Sequence, residues 1–185
     1  MKKNSIIFST LALMFIFSTA ALEAEKLVST KTHFKFYSHT AVEDIEANNY
    51  AALGTIDPES GAVIFSVPMQ GFEFEKALMQ KHFNSGNFLN TKKFPKAKLK
   101  GQITNLDEID FKTDGTYPAM VEGDLNIKGV SQQIKEKGTI SVKGNQVTVD
   151  SKFNITLADY KITFVKGKPS TNVAKTVEVT VKAEF

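Results

Sequence analysis

Three histidines, His33, His39 and His82, are the only imidazoles in the chain, and there is no cysteine to work with them. A zinc site wants several nitrogen or sulfur ligands converging on one point, with further partners to orient them. No His-x-x-x-His spacing occurs, so the sequence points to no metal and no thiolate chemistry. Hydrolysis by a nucleophilic serine would need a histidine beside it. Such triads assemble across a sequence, but the Gly-x-Ser-x-Gly elbow that presents the serine is absent. On this reading there is no catalytic residue and no cofactor. Every basic residue is lysine. Nucleic-acid readers lean on the arginine fork, so a nucleic-acid partner is not expected either.

His82 is the histidine whose placement invites a role. It lies in the stretch Gly71–Pro95, which reads as the only helical part of the chain, with a helical insertion over about residues 72–90. Leu78, Met79, His82 and Phe83 fall on one helical face. Glu73 and Glu75 are expected in the first turn, where carboxylates meet the positive end of the helix dipole. Gly86 is expected to end the helix in the left-handed conformation. From that face, His82 has three readings: a bond to a backbone carbonyl at the seam between helix and sheet, a polar contact for a lipid head or quinone oxygen, or a titrating switch. Lys76 reads as a solvated surface residue. Met69 and Met79 read as packing, with the adaptability that suits irregular apolar pockets.

The elements that must position this helix are strands. In segment after segment, apolar and polar residues alternate: Val63, Phe65 and Val67; Leu99 opposite lysines; Val121, Leu125 and Ile127; Ile140 and Val142; Val147, Val149, Phe153 and Ile155; Val177, Val179 and Val181. Less regular strands are expected near Thr32–Ser38 and Tyr50–Asp57. That gives about eight strands, joined by turn signals at Asp57–Gly61, Asp114-Gly115, Lys128-Gly129 and Gly144-Asn145. Closure removes the exposed edges of such a sheet. The expected fold class is therefore all-β, an eight-stranded antiparallel barrel with a short helical insertion, with a flat sandwich as the competing architecture. Glycines at 54, 101, 123 and 138 sit inside strands, where they mark bends. The inward positions, as candidate ligand-binding residues, are Phe65, Val67, Leu99, Ile103, Leu125, Ile127, Ile140, Val149, Phe153 and Val179 from the strands. The insertion adds Phe72, Phe74, Leu78, Met79, His82, Phe83 and Phe88, with Met69 just before it. Alternation alone does not separate those that touch a ligand from those that pack a closed end.

The N-terminus is different in kind. Lys2 and Lys3 precede an apolar run from Ile6 to Phe17, too short to span a bilayer, and small residues follow up to Ala24. Residues 1–24 read as a signal peptide and residues 25–185 as one domain of an exported, periplasmic or secreted protein. The 42% hydrophobic and 23% charged content suit a globular chain. With no cysteine, there is no lipid-anchoring thiol, and no stable membrane anchor is expected after cleavage.

Two stretches carry a resemblance. KALMQKHFNSGNFLNTKKFPKAKLKG (Lys76–Gly101) resembles a Met-x-x-His-Phe helix followed by a Phe-Leu pair and an aromatic-Pro, and VEGDLNIKGVSQQI (Val121–Ile134) resembles a Gly-Asp-Leu-Thr-Ile-x-Gly-Val strand and turn, with Asn126 in place of threonine. Both are features of the YceI-like family of exported, lipocalin-like, polyisoprenoid-binding proteins. The family's Trp-x-x-Asp opening is missing, and the chain has no tryptophan. The resemblance implies a barrel whose apolar interior takes a long-chain lipid: an isoprenoid, a quinone or a fatty-acid-like molecule. It implies a carrier or sequestering protein, monomer or homodimer, and not an enzyme. The alternatives are an interaction protein with a dry, packed barrel, or an enzyme acting on a lipid or quinone.

Overall fold

The computed structural model describes residues 25–162 and 172–185. The signal-peptide reading of residues 1–24 lies outside these. The described chain is all-β, an antiparallel curled sheet of eleven strands with one short α-helix. The strands are β1 (Leu27–Val28), β2 (Lys31–His39), β3 (Asp44–Asn49), β4 (Leu53–Ile56), β5 (Ala62–Pro68), β6 (Glu73–Phe74), β7 (Lys96–Ile103), β8 (Gly115–Ile127), β9 (Val130–Lys143), β10 (Gln146–Thr156) and β11 (Thr176–Glu184). The helix α1 spans Ala77–Asn84. Their order across the sheet is β1-β4-β5-β7-β8-β9-β10-β11-β2-β3-β6. β1 runs directly into β2, so the chain itself ties one edge of the sheet to its ninth strand. Ser29 reinforces this tie: its backbone N–H donates to the Gly54 carbonyl, and its hydroxyl accepts from Gly54 N–H at 2.8 Å.

The count of eight strands is corrected to eleven. All the expected alternating segments are strands, and three more join them. β1 and β6 are two residues each, too short to show a period. β3 reads DIEANN, and its inward residues are Ile45, Ala47 and Asn49. An asparagine in the buried register hides the pattern. Asn49 is fully buried because its amide is used twice: Nδ2 donates to Pro68 O at 2.7 Å, and Oδ1 accepts from Ala51 N–H at 2.9 Å.

Turn chemistry sets the register of the long hairpins. Lys128 and Gly129 both have positive φ, 53° and 77°, the mirror-image turn whose twist matches the strands. It fixes Ile127 opposite Val130, and thirteen residues of β8 follow in step. The curl has a local cause where Gly123 faces Gly101 across β7 and β8. A Cβ on Gly123 would stand 2.4 Å from the Gly101 Cα and 2.3 Å from Lys100 O. Only glycine permits the two backbones to fold this closely.

The helical stretch is shorter than expected. Glu73 lies in β6 and Glu75 precedes the helix, whose first turn holds no acid. Ser85, in extended conformation, caps the C-terminus; Gly86 does not take the expected left-handed conformation, and Asn90 (φ 49°), further along the loop, does. Thr91, fully buried, donates its hydroxyl to Asn84 Oδ1 at 2.8 Å and folds the following loop back against the helix.

Candidate functional site

The inner face of the sheet divides into two halves. In one, side chains fill the space: Ile56, Val63, Ile103, Ile140, Val142 and Val147 are all buried. In the other, the side chains surround an apolar cavity of about 720 Å³. The cross-strand pairs locate the boundary. The row Phe36–Val179–Phe153 faces the cavity throughout. In the row Phe65–Leu99–Leu125, only Leu125 reaches it, and in the pair Phe34–Val181, only Phe34 does.

This boundary sorts the inward positions named from the sequence. Val67, Met69, Leu125, Ile127, Phe153 and Val179 line the cavity from the strands and the turn after β5. Phe72, Phe74, Leu78, Met79, His82, Phe83 and Phe88 line it from the insertion. Phe65, Leu99, Ile103, Ile140 and Val149 do not: they belong to the filled half or to its uppermost row. Period-two alternation reports which face a residue is on, and both halves share one face.

Several lining residues escaped the sequence reading. Phe34, Phe36 and Ser38 alternate along β2 and line the cavity. Their alternation was legible, but the serine interrupts an apolar reading. Ile45 and Ile162 also contribute, as do Ala97, Ile155, Leu157 and Val177, which lie on the alternating apolar faces without being among the named candidates. So do Glu43 and Asn172, for which no pattern in the sequence gives a signal.

One wall is aromatic. Phe83, the buried residue of α1, stacks on Phe36 with ring centroids 5.6 Å apart and planes 10° apart. Phe72 and Phe74 meet the same ring at 5.5 and 5.0 Å, and Phe88 at 6.2 Å. Such ring pairs contribute about 0.5–1.5 kcal/mol each beyond burial. They hold a helix of only eight residues, too short to be stable alone.

The mouth is polar on one side. Glu43, in the turn between β2 and β3, accepts from Lys76 Nζ at 3.0 Å on Oε1 and from Asn172 Nδ2 at 3.2 Å on Oε2. One carboxylate thus joins three segments around the opening. The lysine bond, then the asparagine bond, hold the Glu43 carboxyl below the usual range, and Glu43 in turn raises Lys76. Lys76, expected as a solvated residue, remains largely exposed but is fixed in this pair. His82 lies exposed on the rim with Leu78, which is 62% exposed. The His82 backbone carbonyl is the acceptor for Ser85 N–H and Oγ–H. His33 and His39 face outward. His33 stacks on Tyr50 at 4.7 Å and bonds Asn48 Oδ1, and His39 Nδ1 is 2.6 Å from Asp44 Oδ1. The three imidazoles do not converge, and no metal-holding cluster occurs among the described residues.

Behind the cavity, β9 and β10 separate beyond the Gly138–Ser151 pair, and the turn Leu157–Tyr160 fills the gap. Gln132 and Glu136, in register with Leu125 and Val121, face the same side as the core. Gln132 Nε2 donates to Asp159 O at 2.8 Å. Burial raises the Glu136 carboxyl and pushes the Tyr160 phenol up to about 12, so both lean toward their neutral forms.

A curled antiparallel sheet with an apolar cavity beside one short helix defines an all-β, lipocalin-like architecture. Residues 25–185 match the YceI-like domain, and the chain belongs to that family. Among solved structures it is similar to BcnA of Burkholderia cenocepacia (16% identity, TM-score 0.68, covering 83% of this chain and 96% of that one). It is also similar to a polyisoprenoid-binding domain from Saccharophagus degradans implicated in plant cell wall breakdown (12%, 0.69, 83% and 92%). A third likeness is to the Campylobacter jejuni YceI protein (14%, 0.55, 98% and 92%). At these identities the likeness is one of fold. No curated protein matches the chain.

Proposed function

We propose that this protein binds one long-chain amphiphile, with its tail in the 720 Å³ cavity and its head at the Glu43–Lys76–His82 rim. The observation that carries the reading is the cavity itself, lined mainly by apolar side chains on a sheet whose other half is filled by its own core. Protein interiors are close-packed, and a void of this size fits the range of small-molecule sites. The membership in the YceI-like family and the likeness to a polyisoprenoid-binding domain support the same class of ligand.

Magnitudes set the kind of tail. Burying a methylene contributes roughly 0.8 kcal/mol. Association costs on the order of 4–15 kcal/mol before any net binding is seen. A tail of about five carbons gains too little from burial, and one of about fifteen gains enough. The ligand class is therefore a single long chain with a small polar head: an isoprenoid alcohol, a quinone or a fatty-acid-like molecule. The role is carriage or sequestration by an exported protein whose residues 1–24 direct it out of the cytoplasm. The cavity weighs against a dry interaction barrel. A rim made of one ion pair and one exposed imidazole favours binding over catalysis.

Organic extraction of the protein purified from the producing cells, followed by mass spectrometry, tests this. A stoichiometric long-chain amphiphile is the expected result. An empty extract, together with no uptake of any long-chain alcohol or acid, would sink the reading.

A further inference from the structure

Resting on the lipid-binding reading above, we propose that Phe34 is the floor of the cavity and sets the longest tail the protein accepts. Phe34 is 8% exposed and lines the cavity at its boundary with the filled half, since its cross-strand neighbour Val181 does not reach the cavity. Its ring meets Phe65 edge-on at 5.6 Å, and Phe65 meets Phe185 in the same manner at 6.4 Å. Neither Phe65 nor Phe185 lines the cavity. The three rings form a column from the floor down into the packed half.

The middle ring of the column has no slack toward the neighbouring strand. Gly54 pairs with Phe65 across β4 and β5, and a Cβ on Gly54 would stand 2.4 Å from the Phe65 ring. The Phe65 ring therefore lies against backbone. A tail that pressed on Phe34 would meet a ring braced by a second ring that is itself braced. Close-packed interiors yield to such pressure only at a cost.

Once a tail reaches this braced ring, further carbons find no more apolar wall to cover and are left in water.

The test is a displacement titration of delipidated protein with straight-chain primary alcohols of roughly ten to twenty-four carbons, repeated with a polyprenol of about forty carbons. Wild-type affinity is expected to rise about fourfold per added carbon and then to level off once the tail reaches Phe34. Phe34→Leu opens the floor and should move the plateau to longer chains. Phe34→Trp raises it and should move the plateau to shorter ones. Circular dichroism and a thermal melt confirm that each variant is folded, and the leucine change is mild enough to keep the column filled. A wild-type affinity that climbs without a plateau overturns the floor. So does a plateau that stays in place in both variants. Binding of no chain at all overturns the lipid reading itself, and the floor with it.

Discussion

At the scale of single residues, the mouth is governed by Glu43. Its carboxylate is bonded both to the start of α1, through Lys76, and to the approach to β11, through Asn172. Its folded-state value lies below the ordinary carboxylate range. The stabilisation it gives is therefore present above the unfolded carboxyl value of about 4.3 and is lost as pH falls through the lowered folded value. Glu43→Gln removes it. The melting temperatures of wild type and variant should differ at neutral pH and converge as pH drops through about 4. A difference that persists unchanged in acid would show that Glu43 acts by something other than its charge. Residue identity was also where the sequence was least legible. His82 announced itself by its helical face, whereas Glu43 and Asn172 are ordinary polar residues until the fold brings them to one opening.

At the scale of elements, the strands were readable because one face of each is half-buried and apolar. The exceptions have physical causes: β3 buries an asparagine, and β1 and β6 are too short to have a period. The helix was visible but overextended, because Phe72 and Phe74 suit the aromatic wall from extended backbone as well as from a helix. The depth of each inward residue was not readable at all, and this decides which of them meet a ligand. Val149 and Val179 show the difference. Both are inward, both are partly buried, and only Val179 lines the cavity. Val149→Phe overfills the packed half and should cost about 1–3 kcal/mol in a denaturant melt, with chain binding retained in the folded protein. Val179→Phe should leave stability nearly unchanged and abolish chain binding. The reverse assignment of these two outcomes would place the cavity in the wrong half of the sheet.

At the scale of the whole molecule, a curled sheet gives its two halves different work. The half with Phe65, Ile103 and Ile140 supplies the core, and the half under α1 leaves room. If residues 1–24 act as the signal peptide expected from the sequence, the exported protein should begin between Ala21 and Glu25. N-terminal sequencing checks this: a start at Met1 in exported protein would make residues 6–17 an anchor instead of a cleaved signal. The central claim, that the cavity takes one long apolar tail, is tested most directly by calorimetric titration of delipidated protein with an alcohol of about sixteen carbons at several temperatures. Burial of the tail predicts one chain per protein and a negative heat-capacity change. Absence of binding, or several chains per protein with no heat-capacity change, would contradict it.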